Sequence, residues 1–137
     1  MNWPLALAAV LEAITGLALI IVPPICGRLL LGAEISGPGL IVGRVAGFAL
    51  LALGVACWPV RRSGSLEPSH VIPAQAKSAL RAMLTYNALV SGYLIFLGLG
   101  GRWVGVLLWP GVGVHALLTL LLARESLKPG QIQITKG

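Results

Sequence analysis

Three side chains that can carry a proton or a hydrogen bond stand inside otherwise apolar runs. They are Glu12 in "LAAVLEAITGLAL", Asn87 in "MLTYNALVSG" and His115 in "GVGVHALLTL". A carboxylate alone in hydrocarbon must either take up a proton or find a partner. His115 and, on another run, Arg44 are the charged candidates for that role, and a neutral Glu12 could instead donate to Asn87 or His115. Two chemistries fit this set. One is a proton relay or small-ligand site, because ionisable residues inside a membrane are functional candidates by default. The other is polar glue that fixes helix register, at about 1 kcal/mol per interhelical bond.

Other chemistries lack their residues. A structural zinc site takes four ligands and a catalytic one three. Glu12 with His115 supplies two, so no metal site is assigned, and a metal would require Asn87, water or a second protomer. A haem held on both faces would need a second axial ligand in the membrane. All four acidic residues are Glu, so no Ser–His–Asp set can be assembled and no catalytic residues are assigned. His70 lies in a polar stretch and reads as solvated. A haem shared with another subunit stays open, and the cofactor is unknown from these residues.

The elements that position these residues follow from composition. The chain has 137 residues, of which 57% are hydrophobic and 10% charged, against roughly 25% charged in a soluble domain. Four apolar runs, at 3–22, 40–58, 79–99 and 103–123, each come close to the ~20 residues that cross a bilayer as a helix. Between the first two, "ICGRLLLG" has room for one or two interfacial turns. "GLGGRW" reads as a tight hairpin between the last two. Residues 59–78 form a basic loop with three prolines, and Pro73 suits the start of the third helix. The tail 124–137 reads as a frayed, solvated end, with a short docked strand as the alternative.

The basic residues set the orientation. Arg61, Arg62, Lys77, Arg81, Arg124, Lys128 and Lys136 fall on the side of the termini, whereas only Arg28 and Arg102 fall on the other. Positive charge stays inside, so both termini are expected to be cytoplasmic. The net charge of +6 then serves anionic lipid headgroups, and no basic stripe interleaved with aromatics points to nucleic acid. Cys26 and Cys57 fall on opposite sides, which excludes a disulfide within one chain. The expected fold class is all-α: one four-helix transmembrane bundle over 1–137, integral to a bacterial cytoplasmic (inner) membrane.

Counted from the cytoplasmic edge at ~1.5 Å per residue, Glu12, Asn87 and His115 all fall about 12–13 Å deep. Small residues mark the faces on which helices approach closely. Ala8, Glu12 and Gly16 share a spacing of four, as do Gly111, His115 and Thr119. Gly43 and Gly47 form a GxxxG, with Gly54 two turns on. Asn87 and Ser91 share a face that leads to Gly98. Arg44 and Tyr93 make a second polar layer nearer the outside, where Arg44 either snorkels to the headgroups or turns inward to Glu12.

"LAAVLEAITGLAL", with one glutamate in the first of four short helices, resembles the start of the small multidrug resistance transporters. That likeness implies that Glu12 exchanges protons for a cationic substrate. It covers one helix of four. The third helix lacks the family's aromatic–glycine signature, and the second loop is longer and more basic than the family's. The Gly-Phe-Thr-Thr-Phe-like run of fluoride channels and the Glu-Arg-Asn pattern of membrane glutathione transferases are absent.

Three functions follow as expectations. The first is a small accessory or assembly subunit of a larger membrane complex, or a homo-oligomer, since four short helices rich in glycine offer surfaces to other subunits or to a second copy. The second is a proton-coupled carrier of small cationic or amphipathic solutes centred on Glu12, with His115 and Asn87 beside it and Tyr86 or Tyr93 as a stacking surface. The third is a quinone or pigment site on His115.

Overall fold

A computed structural model describes residues 3–58 and 74–127, and these fold into five helices: α1 (Trp3–Ile21), α2 (Pro23–Leu31), α3 (Pro38–Ala56), α4 (Ala74–Gly100) and α5 (Leu108–Leu127). No strand occurs among the described residues. The tail from 128 onward, His70 and Pro73 lie outside them.

Proline sets several of these starts. α1, α2, α3 and α5 each carry one among their first three residues, namely Pro4, Pro23, Pro38 and Pro110. There the missing N–H has no helical acceptor to lose. Pro23 also ends α1, because a continuous helix would lose a bond at that position. Gly32 closes α2 in a left-handed conformation at φ 72°, with its N–H on the Arg28 carbonyl.

α1, α3 and the Lys77–Gly100 part of α4 are long and apolar enough to cross a membrane. α5 has 20 residues, but Pro110, His115, Arg124 and Glu125 dilute its apolar character, and it does not reach the same standard. Large apolar side chains such as Ile14, Phe48 and Phe96 face outward, while Glu12 and Asn87 are buried. That arrangement of apolar outside and polar inside suits a lipid solvent.

The connection before α5 corrects the tight hairpin and the span start expected at Trp103. α4 ends at Gly100 and α5 begins at Leu108. A helix running from Trp103 would have placed Pro110 in its interior, where the ring clashes with the carbonyl four residues earlier. The freed segment takes another route. Gly105 N–H donates to the Leu30 carbonyl at 3.0 Å and Leu107 N–H to the Leu29 carbonyl at 2.8 Å. The C-terminal carbonyls of α2, which have no helical partners, are thereby satisfied. The interfacial turns expected in "ICGRLLLG" are this nine-residue helix. It is tied down further by an exposed ion pair between Arg28 and Glu34.

α1 packs along α3, and α4 along α5. Both pairs are antiparallel: Gly16 meets Gly47 while Ala9 and Ala13 meet Gly54, and Asn87 meets His115 while Gly98 meets Leu108 and Trp109. The pairs join through a core of Leu5, Ala8, Ala9, Cys57, Leu80, Met83, Leu118 and Leu122. This core lies at the end holding the start of α1 and α4 and the finish of α3 and α5.

Candidate functional site

α1 has two working faces. Ala9, Ala13, Gly16 and Ile20 lie against α3. Glu12, displaced from that stripe around the helix, is turned toward α4 and α5. The expected single stripe of Ala8, Glu12 and Gly16 is therefore divided: Gly16 belongs to the α3 contact, and Ala8 to the core shared with α4 and α5. A side chain added at Gly16 explains the division, since its Cβ would lie 2.6 Å from the Gly47 carbonyl oxygen. Backbones that close leave no room for a carboxylate on the same line.

Glu12 is 1% exposed. Its Oε1 has no hydrogen-bond partner and lies 3.9 Å from Nδ1 of His115, beyond hydrogen-bonding distance. Tyr86 lies beside the Glu12 carboxyl, and its ring meets the His115 imidazole edge-on, with ring centroids 6.2 Å apart. His115 Nδ1 is 2.8 Å from Asn87 Oδ1. Asn87 Nδ2 donates back to the Met83 carbonyl one turn earlier, at 2.9 Å. Thr119 Oγ1 donates to the His115 carbonyl at 2.8 Å.

Glu12, Asn87 and His115, expected at one depth on three helices, thus form one cluster. Tyr86, expected as a stacking surface, joins them through its edge-on contact with His115. It precedes Asn87 by one residue, which sets it at the same level of α4. Ser91 is buried one turn beyond Asn87, and its hydroxyl has no partner.

Arg44 and Tyr93 do not join the cluster. Arg44 is exposed, next to the buried Gly43, and makes no ion pair among the described residues. Tyr93 is exposed and stacks on Phe96 with ring centroids 6.5 Å apart. Gly43, Gly47 and Gly54 are the buried residues of α3, and Gly43 faces Pro23 of α2. Gly111 faces Leu94 and Leu30. Among the described residues, no three His, Cys, Asp or Glu side chains gather into a metal-binding group. Cys26 and Cys57 are free thiols.

The cluster offers a buried carboxyl oxygen without a partner, an imidazole, and a phenol ring set edge-on to that imidazole. These groups can hold and pass a proton. Compared with protein families, curated proteins and solved structures, the chain matches none.

Proposed function

We propose that the chain is a four-span helical bundle of a bacterial cytoplasmic membrane, with both termini cytoplasmic. In this reading it couples proton movement to a small cationic or amphipathic solute through Glu12. The observation that carries the proposal is Glu12 Oε1, fully buried yet unpartnered. Buried polar atoms are nearly all satisfied in folded proteins, so an orphan calls for an explanation. A carboxyl that exchanges a proton for a cation must keep one oxygen free of permanent bonds. His115 Nδ1 faces that oxygen from 3.9 Å without bonding it.

The topology is supported by the helix directions and the charges. α1 and α4 run one way, α3 and α5 the other, as alternating spans must. Lys77 and Arg81 at the start of α4, and Arg124 at the finish of α5, lie at the end where α1 begins. Arg28 and Arg102 lie at the opposite end, so the cytoplasmic side is the one with the termini. α5 measures about 30 Å at 1.5 Å per residue and spans by packing along α4, with its polar His115 turned inward.

Purified protein in liposomes, given a proton gradient and a lipophilic cation such as tetraphenylphosphonium, tests the carrier. Gradient-driven movement of the cation is expected with the wild type and none with Glu12→Gln. Equal movement with both proteins would overturn the proposal.

A second reading, an accessory subunit or homo-oligomer, is favoured by Gly92 and Gly113. Both are exposed, and a Cβ at either would meet nothing within 4 Å, so α4 and α5 each keep an open small-residue position. Native mass spectrometry after mild extraction separates the readings: fixed-ratio co-purification with other subunits favours this one.

A further inference from the structure

We infer that Asn87 is a positioning residue: it pins a proton on Nδ1 of His115 and so keeps the imidazole from closing on Glu12. The Asn87 amide nitrogen is identified by the bond it donates to the Met83 carbonyl, 2.9 Å away. A flipped amide would set two carbonyl oxygens against each other. Oδ1 is therefore the atom that faces His115 Nδ1 at 2.8 Å.

An amide oxygen only accepts, so at that distance Nδ1 must carry the hydrogen, in the neutral ring as in the imidazolium. The tautomer of a histidine is set by the bond its other nitrogen makes. Here that bond leaves Nε2 as the nitrogen that gains and loses a proton.

The other neighbours do not set this choice. Thr119 bonds the His115 backbone carbonyl rather than the ring. Tyr86 approaches the ring edge-on, through its own ring. Glu12 Oε1 lies 3.9 Å from Nδ1, 1.1 Å farther than Asn87 Oδ1. Asn87 thus holds the donor that would otherwise form a direct Glu12–His115 pair. Resting on the carrier reading, this explains how Oε1 stays free for exchange: the nearest donor is committed elsewhere.

The test is 15N NMR of His115 in lipid nanodiscs, at a pH where the ring is neutral, with His70→Gln leaving a single histidine. The wild-type cluster is expected to show a protonated Nδ1 and an unprotonated Nε2. Glu12→Ala should keep that pattern. Adding Asn87→Ala to Glu12→Ala should lose it, and Asn87→Asp in the same background should restore it. An Nε2–H ring in the wild type overturns the inference, whatever the variants do. Loss of the pattern on Glu12→Ala alone also overturns it, because Glu12 would then be the residue that sets the tautomer. No transported solute is involved, so an Nδ1–H ring in a protein that moves no cation sinks the carrier and leaves the role of Asn87 standing.

Discussion

Between α1 and α3, backbone lies on backbone; between α4 and α5, side chains meet and hydrogen-bond. In the first seam a Cβ at Gly47 would sit 2.7 Å from the Gly16 carbonyl oxygen, and one at Gly54 would sit 2.7 Å from the Ala9 carbonyl oxygen. In the second, Asn87 reaches His115 at 2.8 Å, between layers of leucine and methionine. Both pairs are antiparallel and both face the same solvent, so the difference lies in what each must hold. The glycine seam fixes distance by having nothing between the helices. The polar seam fixes orientation, because a hydrogen bond has a direction. Glu12 belongs to the first pair by its helix and to the second by its contacts, which sets it on the boundary between them.

The largest expected effect breaks the glycine seam. Gly47→Leu drives a side chain into the Gly16 carbonyl and Ile20, and overpacking of this kind costs about 1–3 kcal/mol or more. Reversible denaturation in mixed micelles should show a folded fraction that falls sharply. Gly92→Leu and Gly113→Leu, which enter open space, should leave the same curve unchanged. A stable Gly47→Leu protein would mean that the seam is looser than the backbone geometry requires. If instead Gly92→Leu shifts the oligomer in native mass spectrometry, the open positions serve a second copy or another subunit.

These two seams differed in how legible they were. GxxxG at Gly43 and Gly47, with Gly54 beyond, is a pattern of absence that the sequence displays directly, and α3 buries those three positions. That Glu12, Asn87 and His115 come together at one level of the bundle was equally readable, since rise per residue converts position to height. Rotation about the helix axis was not. Gly16 and Glu12, four apart, share a stripe to within about 40°, and only the presence of α3 on one side assigns them to different neighbours. Arg44 shows the same limit: one residue from Gly43, it turns about 100° away and out of the core. The late start of α5 was legible, because Pro110 fixes it, but an apolar run counted from Trp103 outweighed the proline.

A smaller effect is expected in the polar seam. His115→Phe removes the donor from Asn87 Oδ1 and leaves that oxygen buried, at a cost of about 1 kcal/mol. Asn87→Leu removes the other half of the pair but frees the His115 donor for Glu12, 3.9 Å away, and should cost less. The double variant should cost less than the sum, because two apolar side chains leave no orphan. Additive losses would show that the 2.8 Å contact carries no energy and that the seam is held by its leucines alone.

Within the polar cluster the smallest expected change in stability comes from Glu12→Gln, and it is the most informative. Gln matches Glu in shape and leaves the Asn87–His115 bond untouched. Oε1 has no partner to lose, so the denaturation midpoint should move by less than about 0.5 kcal/mol. If Glu12 were glue between the two seams, the substitution would loosen the joint and the shift would exceed that of His115→Phe. A carboxyl retained at the meeting of four helices, yet replaceable without loss of stability, is under a demand that folding does not impose. Proton-coupled cation movement, abolished in the same variant, would identify that demand.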